Sequence, residues 1–420
     1  MYLTAVDLGS SQIKAVVAEL KKDGSLVVLK TIKRNSAGIK KGEIIYPEET
    51  VKGLFDVLGE IKHFDKKCLK NIVFGISGTK TRFNISRAAV SIPRPDFEIL
   101  QEDIDRVIRE SMAVNLPAGW QIVHSLPREF IIDDIEVDGM DVIGLSGRKL
   151  EANVVLISVF SSIYKNFLKV ANLVFGKKGD FDGSLIFSPL AAARSVLSRH
   201  QKDLGAVLID IGLGTTSLTV WQDGRILTAR VLPVGSGNIT NDLAIGLRCS
   251  LTAAEEIKIS SGAALAREVS SKDKVTIESG GGKIIEVSRK YICEIIEVRV
   301  REIFAMVNEE LRNMGRSAKL PAGAIITGGG AKMDGVLDLA RQELKLSAQI
   351  GLPSSEELET SGPIIGDQID DVEMAVACGL LLTKVDLLKK GGAIKNASGR
   401  LQPLNESWLR KFFRALMASD

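Results

Sequence analysis

Two short apolar strands in this chain each run into an aspartate followed by a glycine turn. They are Leu3-Thr4-Ala5-Val6 before Asp7-Leu8-Gly9-Ser10-Ser11, and Ala206-Val207-Leu208-Ile209 before Asp210-Ile211-Gly212-Leu213-Gly214-Thr215-Thr216. In both places the chain leaves the turn as another strand, Ile13-Lys14-Ala15-Val16-Val17 and Leu218-Thr219-Val220-Trp221, and a second turn, Asp23-Gly24 or Asp223-Gly224, leads into a third. One Gly-x-Gly is a weak signal, since ordinary hairpins contain it. The same strand, acidic turn and strand occurring twice predicts two related α/β halves. A dinucleotide fold or a P-loop needs a helix beginning at the glycines, so that its first N–H groups face phosphate, and neither turn offers one.

A glycine hairpin binds phosphate by another route. Successive N–H groups in a tight turn form an anion-binding concavity, and hydroxyls add donors. Gly9, Ser10 and Ser11 are candidates in the first turn, with Lys14 in the strand that leaves it; Gly212, Gly214, Thr215 and Thr216 are candidates in the second. Asp7 and Asp210, each at a strand end, predict a carboxylate pair for Mg²⁺, held through the waters this ion keeps. A third run, Gly328-Gly329-Gly330-Ala331-Lys332-Met333, follows Ala324-Ile325-Ile326-Thr327 and precedes a helical pattern beginning near Met333. Its glycines, with Met333, let backbone lie flat against a base or ribose. The three turns together predict a nucleotide clamp made from two halves.

The remaining composition narrows the function classes. At 420 residues, 45% hydrophobic and 25% charged, the chain has material for two large cores. The net charge of +3 from 55 basic and 52 acidic residues gives no drive toward nucleic acid. Cys68, Cys249, Cys293 and Cys378 lack metal or disulfide spacing and read as reduced thiols of a cytosolic protein. The amino terminus enters a strand directly, and the longest apolar run, 374–382, is too short for a bilayer; neither a signal peptide nor a membrane span is expected.

Along the chain, residues 1–85 form the first nucleotide-binding unit, with a helix opened by Pro47 whose apolar positions include Val51, Leu54, Phe55, Leu58 and Ile61. Residues 86–161 read as an inserted module with a helix around Ile104, Val107 and Ile108 and strands near 121–123, 128–132 and 153–159. Helices follow in 162–203, the second unit begins at 204–250, another insertion spans 251–321, and 322–388 completes the second unit. Within that insertion, Ser279-Gly280-Gly281-Gly282-Lys283 reads as a hairpin loop, and Ile292, Ile296, Ile303, Val307 and Leu311 mark a long core helix. Thr252-Ala253-Ala254-Glu255 has capping-box spacing, which makes Glu255 a helix cap; contact with nucleotide is the competing role.

The last segment carries a different signal. Residues 389–404 turn small and polar and read as a tether. In 405–420, Trp408, Leu409, Phe412, Phe413 and Leu416 take one half of a helix, while Arg410, Lys411 and Arg414 take the other. Aromatics opposite cations suit an anionic bilayer surface, where each basic residue adds about 1 kcal/mol. A single copy binds weakly, so linking many through polymerisation multiplies the avidity.

The paired hairpins resemble the superfamily of actin, sugar kinases and heat-shock chaperones, in which ATP lies between two related domains. More narrowly, Asn35-Ser36-Ala37-Gly38-Ile39-Lys40-Lys41-Gly42-Glu43-Ile44, Gly75-Ile76-Ser77-Gly78, His124-Ser125-Leu126-Pro127-Arg128-Glu129-Phe130, Gly144-Leu145-Ser146-Gly147-Arg148-Lys149-Leu150 and Ala254-Glu255-Glu256-Ile257-Lys258 resemble the bacterial cell-division family FtsA over nearly the whole chain. The resemblance implies an α/β, actin-like (ribonuclease H-like) duplicated two-domain ATPase fold with two inserted α+β subdomains, 1C at 86–161 and 2B at 251–321, the remainder being 1A and 2A. It implies ATP and Mg²⁺ as cofactors, Glu255 and Lys258 near ribose and base, and self-association into filaments. Its implied partners are FtsZ through 2B, later division proteins through 1C, and anionic lipid at the cytoplasmic face of the inner membrane at the septum. Ser188 stands near the helix start where hydrolysing relatives place Gln or Glu, which implies weak or absent ATPase activity. The alternatives are a small-molecule kinase of the same superfamily, for which no acceptor-activating aspartate stands out, and an actin-like pilus-assembly protein, which the terminal helix disfavours.

Overall fold

Strands rich in Val, Ile and Leu with few polar interruptions are those buried on both faces, and here they form two sheets of mirrored design. The structure is a computed structural model that describes residues 1–137, 141–176, 185–279, 283–353 and 356–389. In the first lobe, Tyr2–Leu8, Gln12–Leu20 and Leu26–Asn35 form an antiparallel meander, and Ile72–Ile76 and Leu185–Phe187 add in parallel beyond Tyr2–Leu8. In the second lobe, Ala206–Ile211, Thr216–Gln222 and Arg225–Leu232 repeat the meander, with Gly323–Thr327 and Ala348–Ile350 parallel beyond Ala206–Ile211. The equivalence extends to register: Asp7 lies opposite Lys14, and Asp210 opposite Ser217.

Helices fill the faces. Pro47–Phe64 begins with proline in its first turn, carries Glu48 and Glu49 there and Lys62 and His63 at its end, each favourable to the helix dipole. It buries Leu54, Val57, Leu58 and Ile61. Phe55, expected among the inward positions, is 50% exposed, because the buried stripe passes through Val57 instead. The lobes are joined where Ala375–Lys389 crosses Ser188–Val196; a Cβ at Gly379 would lie 1.7 Å from the Ala191 carbonyl oxygen, so the crossing admits only glycine.

The inserted module has its own core, including Val90, Ile104, Val107, Ile108, Phe130 and Leu156. Its sheet runs Thr81–Ser91, Lys149–Phe160, Trp120–Ile132, Ile135–Val137, so its first strand crosses the boundary expected at 86. The strands expected at 121–123 and 128–132 are one strand, with Pro127 placed beside a register shift, where a residue lacking an N–H is tolerated. In the second lobe, Arg289–Asn313 buries Ile292, Ile296, Ile303, Val307 and Leu311 as the periodicity predicted, and Lys274–Ser279 pairs with Lys283–Ser288 as a hairpin. The tether at 389–404, beyond Lys389, and the helix expected at 405–420 lie outside the described residues. No helix among the described residues is long and apolar enough to cross a membrane.

Candidate functional site

The mirrored sheets bring their first turns face to face across a cleft of about 550 Å³. Asp7, Gly9, Ser10, Ser11 and Lys14 line it from one side, and Asp210, Gly212, Gly214 and Thr215 from the other, with Gly328, Gly329, Gly330 and Met333 closing it. All three predicted turns therefore meet in one place. Thr216 is the exception: it is buried, and Thr215 and Ser217 line the cleft while Thr216 does not. The alternation of side chains along the strand Thr216–Gln222 turns it to the opposite face.

Several glycines are required by close approach. A Cβ at Gly328, where φ is +82°, would fall 2.2 Å from Asp210 Oδ1, so glycine lets this loop lie against the carboxylate. At Gly75 a Cβ would sit 2.6 Å from Ser188 Oγ and 3.7 Å from Asp7 Oδ1, so this strand end leaves room for both groups at the cleft floor.

The electrostatics follow from that packing. Burial raises the Asp7 carboxyl above its ordinary range, partly offset by Lys14. Burial pushes Asp210 up to about 6, with Lys14 opposing and Asp7 adding to the rise. Two carboxylates held this way gain from a cation placed between them. Among the described residues no three His, Cys, Asp or Glu side chains gather as a metal cage, so such an ion would keep most of its ligands as water and phosphate oxygen. The donor set fits a magnesium polyphosphate: the carboxylates of Asp7 and Asp210, the ammonium of Lys14 and the hydroxyls of Ser10, Ser11 and Thr215 all line the cleft between its glycine turns. Gln12 Oε1, dry and without a hydrogen-bond partner, also lies on a residue that lines the cleft. The volume is within the ~300–1,000 Å³ of small-molecule sites.

At the other end, Lys258 is buried and its ammonium reaches Glu255 Oε2 at 2.6 Å, Thr240 Oγ1 at 3.0 Å and the Ser236 carbonyl oxygen at 3.4 Å. Glu255 also accepts from the Thr240 hydroxyl. Both line the cleft. Glu255 is not the cap of its helix: that helix is Leu251–Ser261, and the Ser250 hydroxyl accepts from Ala253 N at 3.1 Å. The capping residue lies two positions earlier than the spacing suggested, which frees Glu255 for the cleft.

Other groups were missed. Lys33, in the first lobe, bonds Asp371 at 2.6 Å and Glu373 at 3.4 Å; Lys332, in the third glycine run, bonds Asp371 at 2.9 Å and Glu373 at 3.0 Å. Although Asp371 is partly buried, bonds from Lys33, Glu373 N and Lys332 bring its carboxyl down to about 2. This clasp joins Lys33 of the first lobe to Lys332 of the second, and Lys332 and Glu373 also line the cleft. Lys33 stands 338 residues from Asp371, and Lys332 stands 39 from it, both beyond any local pattern. His124, for which the sequence indicates no role of its own, is buried, and its Nε2 accepts from Phe187 N at 2.9 Å, pinning the inserted module to the residue before Ser188.

A family model for the cell division protein FtsA matches residues 207–379, and one for the SHS2 domain inserted in FtsA matches 78–158. Cell division protein FtsA of Pseudomonas aeruginosa is 33% identical over 354 residues, covering 84% of this chain and 83% of that protein. The chain belongs to the FtsA family. FtsA of Bacillus subtilis is likewise 33% identical, over 83% of this chain and 78% of its own length. This FtsA-family chain also resembles solved structures at the level of fold. A chain of the PilM-PilN type IV pilus biogenesis complex overlaps 91% of it and 98% of itself with a TM-score of 0.64 at 18% identity. MreB5 of Spiroplasma citri, solved bound to ADP, overlaps 93% and 99% with a TM-score of 0.53 at 15% identity. The fold is that of the actin-like ATPases, with an SHS2 domain inserted in its first half, and the family is one of cell-division proteins.

Proposed function

We propose that this chain binds ATP with Mg²⁺ in the interlobe cleft, polymerises on the inner face of the cytoplasmic membrane and tethers FtsZ there during septum formation. The observation that carries the reading is the convergence of Asp7, Asp210 and three glycine turns on one cavity. Ser10, Ser11 and Thr215 serve as phosphate donors, Lys14 faces the same charge, and Glu255 and Lys258 stand at the ribose and base end. The bound ion supplies charge neutralisation between the phosphates and the two aspartates. Ser188 lines the cleft floor, where a hydroxyl is a weak group for orienting an attacking water, in keeping with slow or absent hydrolysis.

The remaining assignments rest on family membership and sequence. Residues 405–420, with Trp408, Phe412, Phe413, Arg410, Lys411 and Arg414, are the lipid anchor; 251–321 is the FtsZ-facing region, and the SHS2 module meets later division proteins. The pilus-assembly alternative keeps the fold likeness but not the family.

The test is sedimentation of the full chain and of a chain ending before Pro403 with anionic vesicles, with and without ATP, FtsZ and a phosphate-release assay. Co-sedimentation of the full chain alone, strengthened by ATP and carrying FtsZ down, is expected. Both forms remaining in the supernatant under every condition overturns the scaffold, and turnover dependent on a small acceptor points to a kinase.

A further inference from the structure

The cleft occupies one end of the first sheet; the opposite end, turned away from the second lobe, has no part in the proposed function. Strand pairing shows what gathers there. Leu8 lines the cleft, and Tyr2 begins the same strand about 20 Å away at ~3.3 Å per residue. Thr4 pairs with Ile72, which sets Lys70 level with Tyr2 on one side. On the other, Leu20 N donates to the Met1 carbonyl at 2.8 Å, which sets Lys21 and Lys22 just beyond. The short turn Lys66–Leu69 is fixed to the same strand, since the Cys68 carbonyl accepts from Thr4 Oγ1 at 2.8 Å.

The surface at this end is cationic. Between Ile61 and Asn71 the chain carries Lys62, Lys66, Lys67 and Lys70 against one acid, Asp65, and all four lysines are exposed. Lys21 and Lys22 extend the patch, offset by Glu19, Asp23 and Glu359, the last 3.6 Å from Lys21, so the excess of cations sits at 62–70. Phe64, 45% exposed, adds an aromatic side chain beside the lysines. The chain leaves for its tail on this side too. The helix Ala375–Lys389 starts at the cleft, which Ala375 lines, packs along Tyr2–Leu8 and Ile72–Ile76, and so carries the chain away from the cleft.

A lysine near an anionic headgroup layer contributes about 1 kcal/mol, and the attraction fades over a Debye length of ~8 Å, so only a surface held against the lipid gains from it. A chain the length of 390–404 spans at most ~50 Å, so a tail on it limits how far the body strays from the bilayer and leaves open which face is shown. We propose that residues 62–70, flanked by Lys21 and Lys22, are a second lipid-contacting surface that rests on anionic phospholipid headgroups and turns the cleft end of the body away from the bilayer. Phe64 enters the headgroup layer beside the four ammonium groups. Two weak contacts in one molecule reinforce each other, because binding of the tail raises the local concentration of lipid at the patch. This rests on the reading of residues 405–420 as a lipid anchor.

The experiment measures partition of the full chain onto vesicles of phosphatidylglycerol and phosphatidylcholine at about 0.1 M and about 0.5 M salt. The unmodified chain is compared with a chain ending before Pro403 and with the triple substitution Lys66→Gln, Lys67→Gln and Lys70→Gln. A control triple in the second lobe, Lys272→Gln, Lys319→Gln and Lys345→Gln, removes the same charge from exposed positions elsewhere. Expected is a loss of at least about tenfold for the first triple at low salt, shrinking to within about twofold at high salt, with the control within about twofold at both. The bond from Lys67 N to Asp65 uses backbone and survives in these variants. The three single substitutions, each expected to cost about two- to threefold, replace the triple if it folds poorly. A first triple that binds like the control, or a loss that persists at high salt, overturns the surface while tail-dependent binding stands. Binding that survives removal of the tail but not of the lysines supports the surface and overturns the anchor. Absence of any binding by folded, unmodified chain overturns both.

Discussion

The two lobes are copies in backbone and unequal in charge. In each, a meander of three strands presents an aspartate at the end of its first strand, but the residue facing that aspartate is Lys14 in the first lobe and Ser217 in the second. One lysine therefore serves both carboxylates, and it opposes the rise of each. Duplication supplies the shape of the clamp; the charge balance at the aspartates is asymmetric, and the lysine beside them comes from the first lobe.

The largest test of that asymmetry replaces the two counterparts separately. Lys14→Met should weaken Mg-nucleotide uptake by about 2–4 kcal/mol, since it leaves buried charge uncompensated. Ser217→Ala should cost less than about 1 kcal/mol in the same calorimetric titration. Similar losses from both would break the comparison.

A smaller effect distinguishes the turns. A Cβ at Gly9 would lie 2.7 Å from the Gln12 carbonyl oxygen, whereas one at Gly212 would lie 3.2 Å from that of Thr215. Gly9→Ala should then destabilise by roughly 1–3 kcal/mol and Gly212→Ala by under about 1 kcal/mol in urea unfolding. The reverse order would mean that the second turn is the tighter of the two.

The insertions offer a comparison by pH. The first-lobe module is pinned through His124, which burial holds neutral with a pKa lowered from 6.5 to about 3. The unfolded chain binds a proton there below about 6.5 and the folded chain does not, so stability falls as pH drops from 6.5 toward 3. The slope is at most about 1.4 kcal/mol per pH unit. His124→Gln should flatten that part of the stability profile, measured by thermal unfolding between pH 7 and 5; an unchanged slope would show that another group sets it.

The smallest expected effect concerns helix starts. Ser250→Ala removes the hydroxyl that accepts from Ala253 N and should cost about 1 kcal/mol. The helix Ser188–Val196 of the first lobe starts from Phe187 without a side-chain cap, so it has no capping hydrogen bond to lose.

Much of the fold was legible before any coordinates, for a definite reason. Strand alternation, the Asp-Gly turns and the apolar repeat of Arg289–Asn313 are set by neighbours within a few residues, and these elements stand where the pattern put them. That the three turns face one cleft was legible too, except at Thr216, whose side chain is turned away by pleating inside the strand. What escaped was long-range: the Lys33, Asp371, Glu373 and Lys332 clasp, the His124 peg, and the hydrogen bond from Gly42 N to Ser10 Oγ each join segments that only the folded chain brings together. The break expected between the strands near 121–123 and 128–132 is absent for a related reason, since a register shift at Asn153 and Val154 lets Pro127, which lacks an N–H, sit inside one strand.

Determined by the amino-acid order alone were the duplicated strand, acidic turn and strand and the third glycine run, because turn chemistry and periodic burial act locally; membership of a cell-division family came from likeness to its other sequences. Tertiary structure alone decided that Asp7 and Asp210, a pair expected from sequence, are both desolvated and share Lys14. Desolvation and charge coupling depend on what surrounds a group in space, and residues 7 and 210 become neighbours only when both sheets are built and the helices joining them have crossed at Gly379.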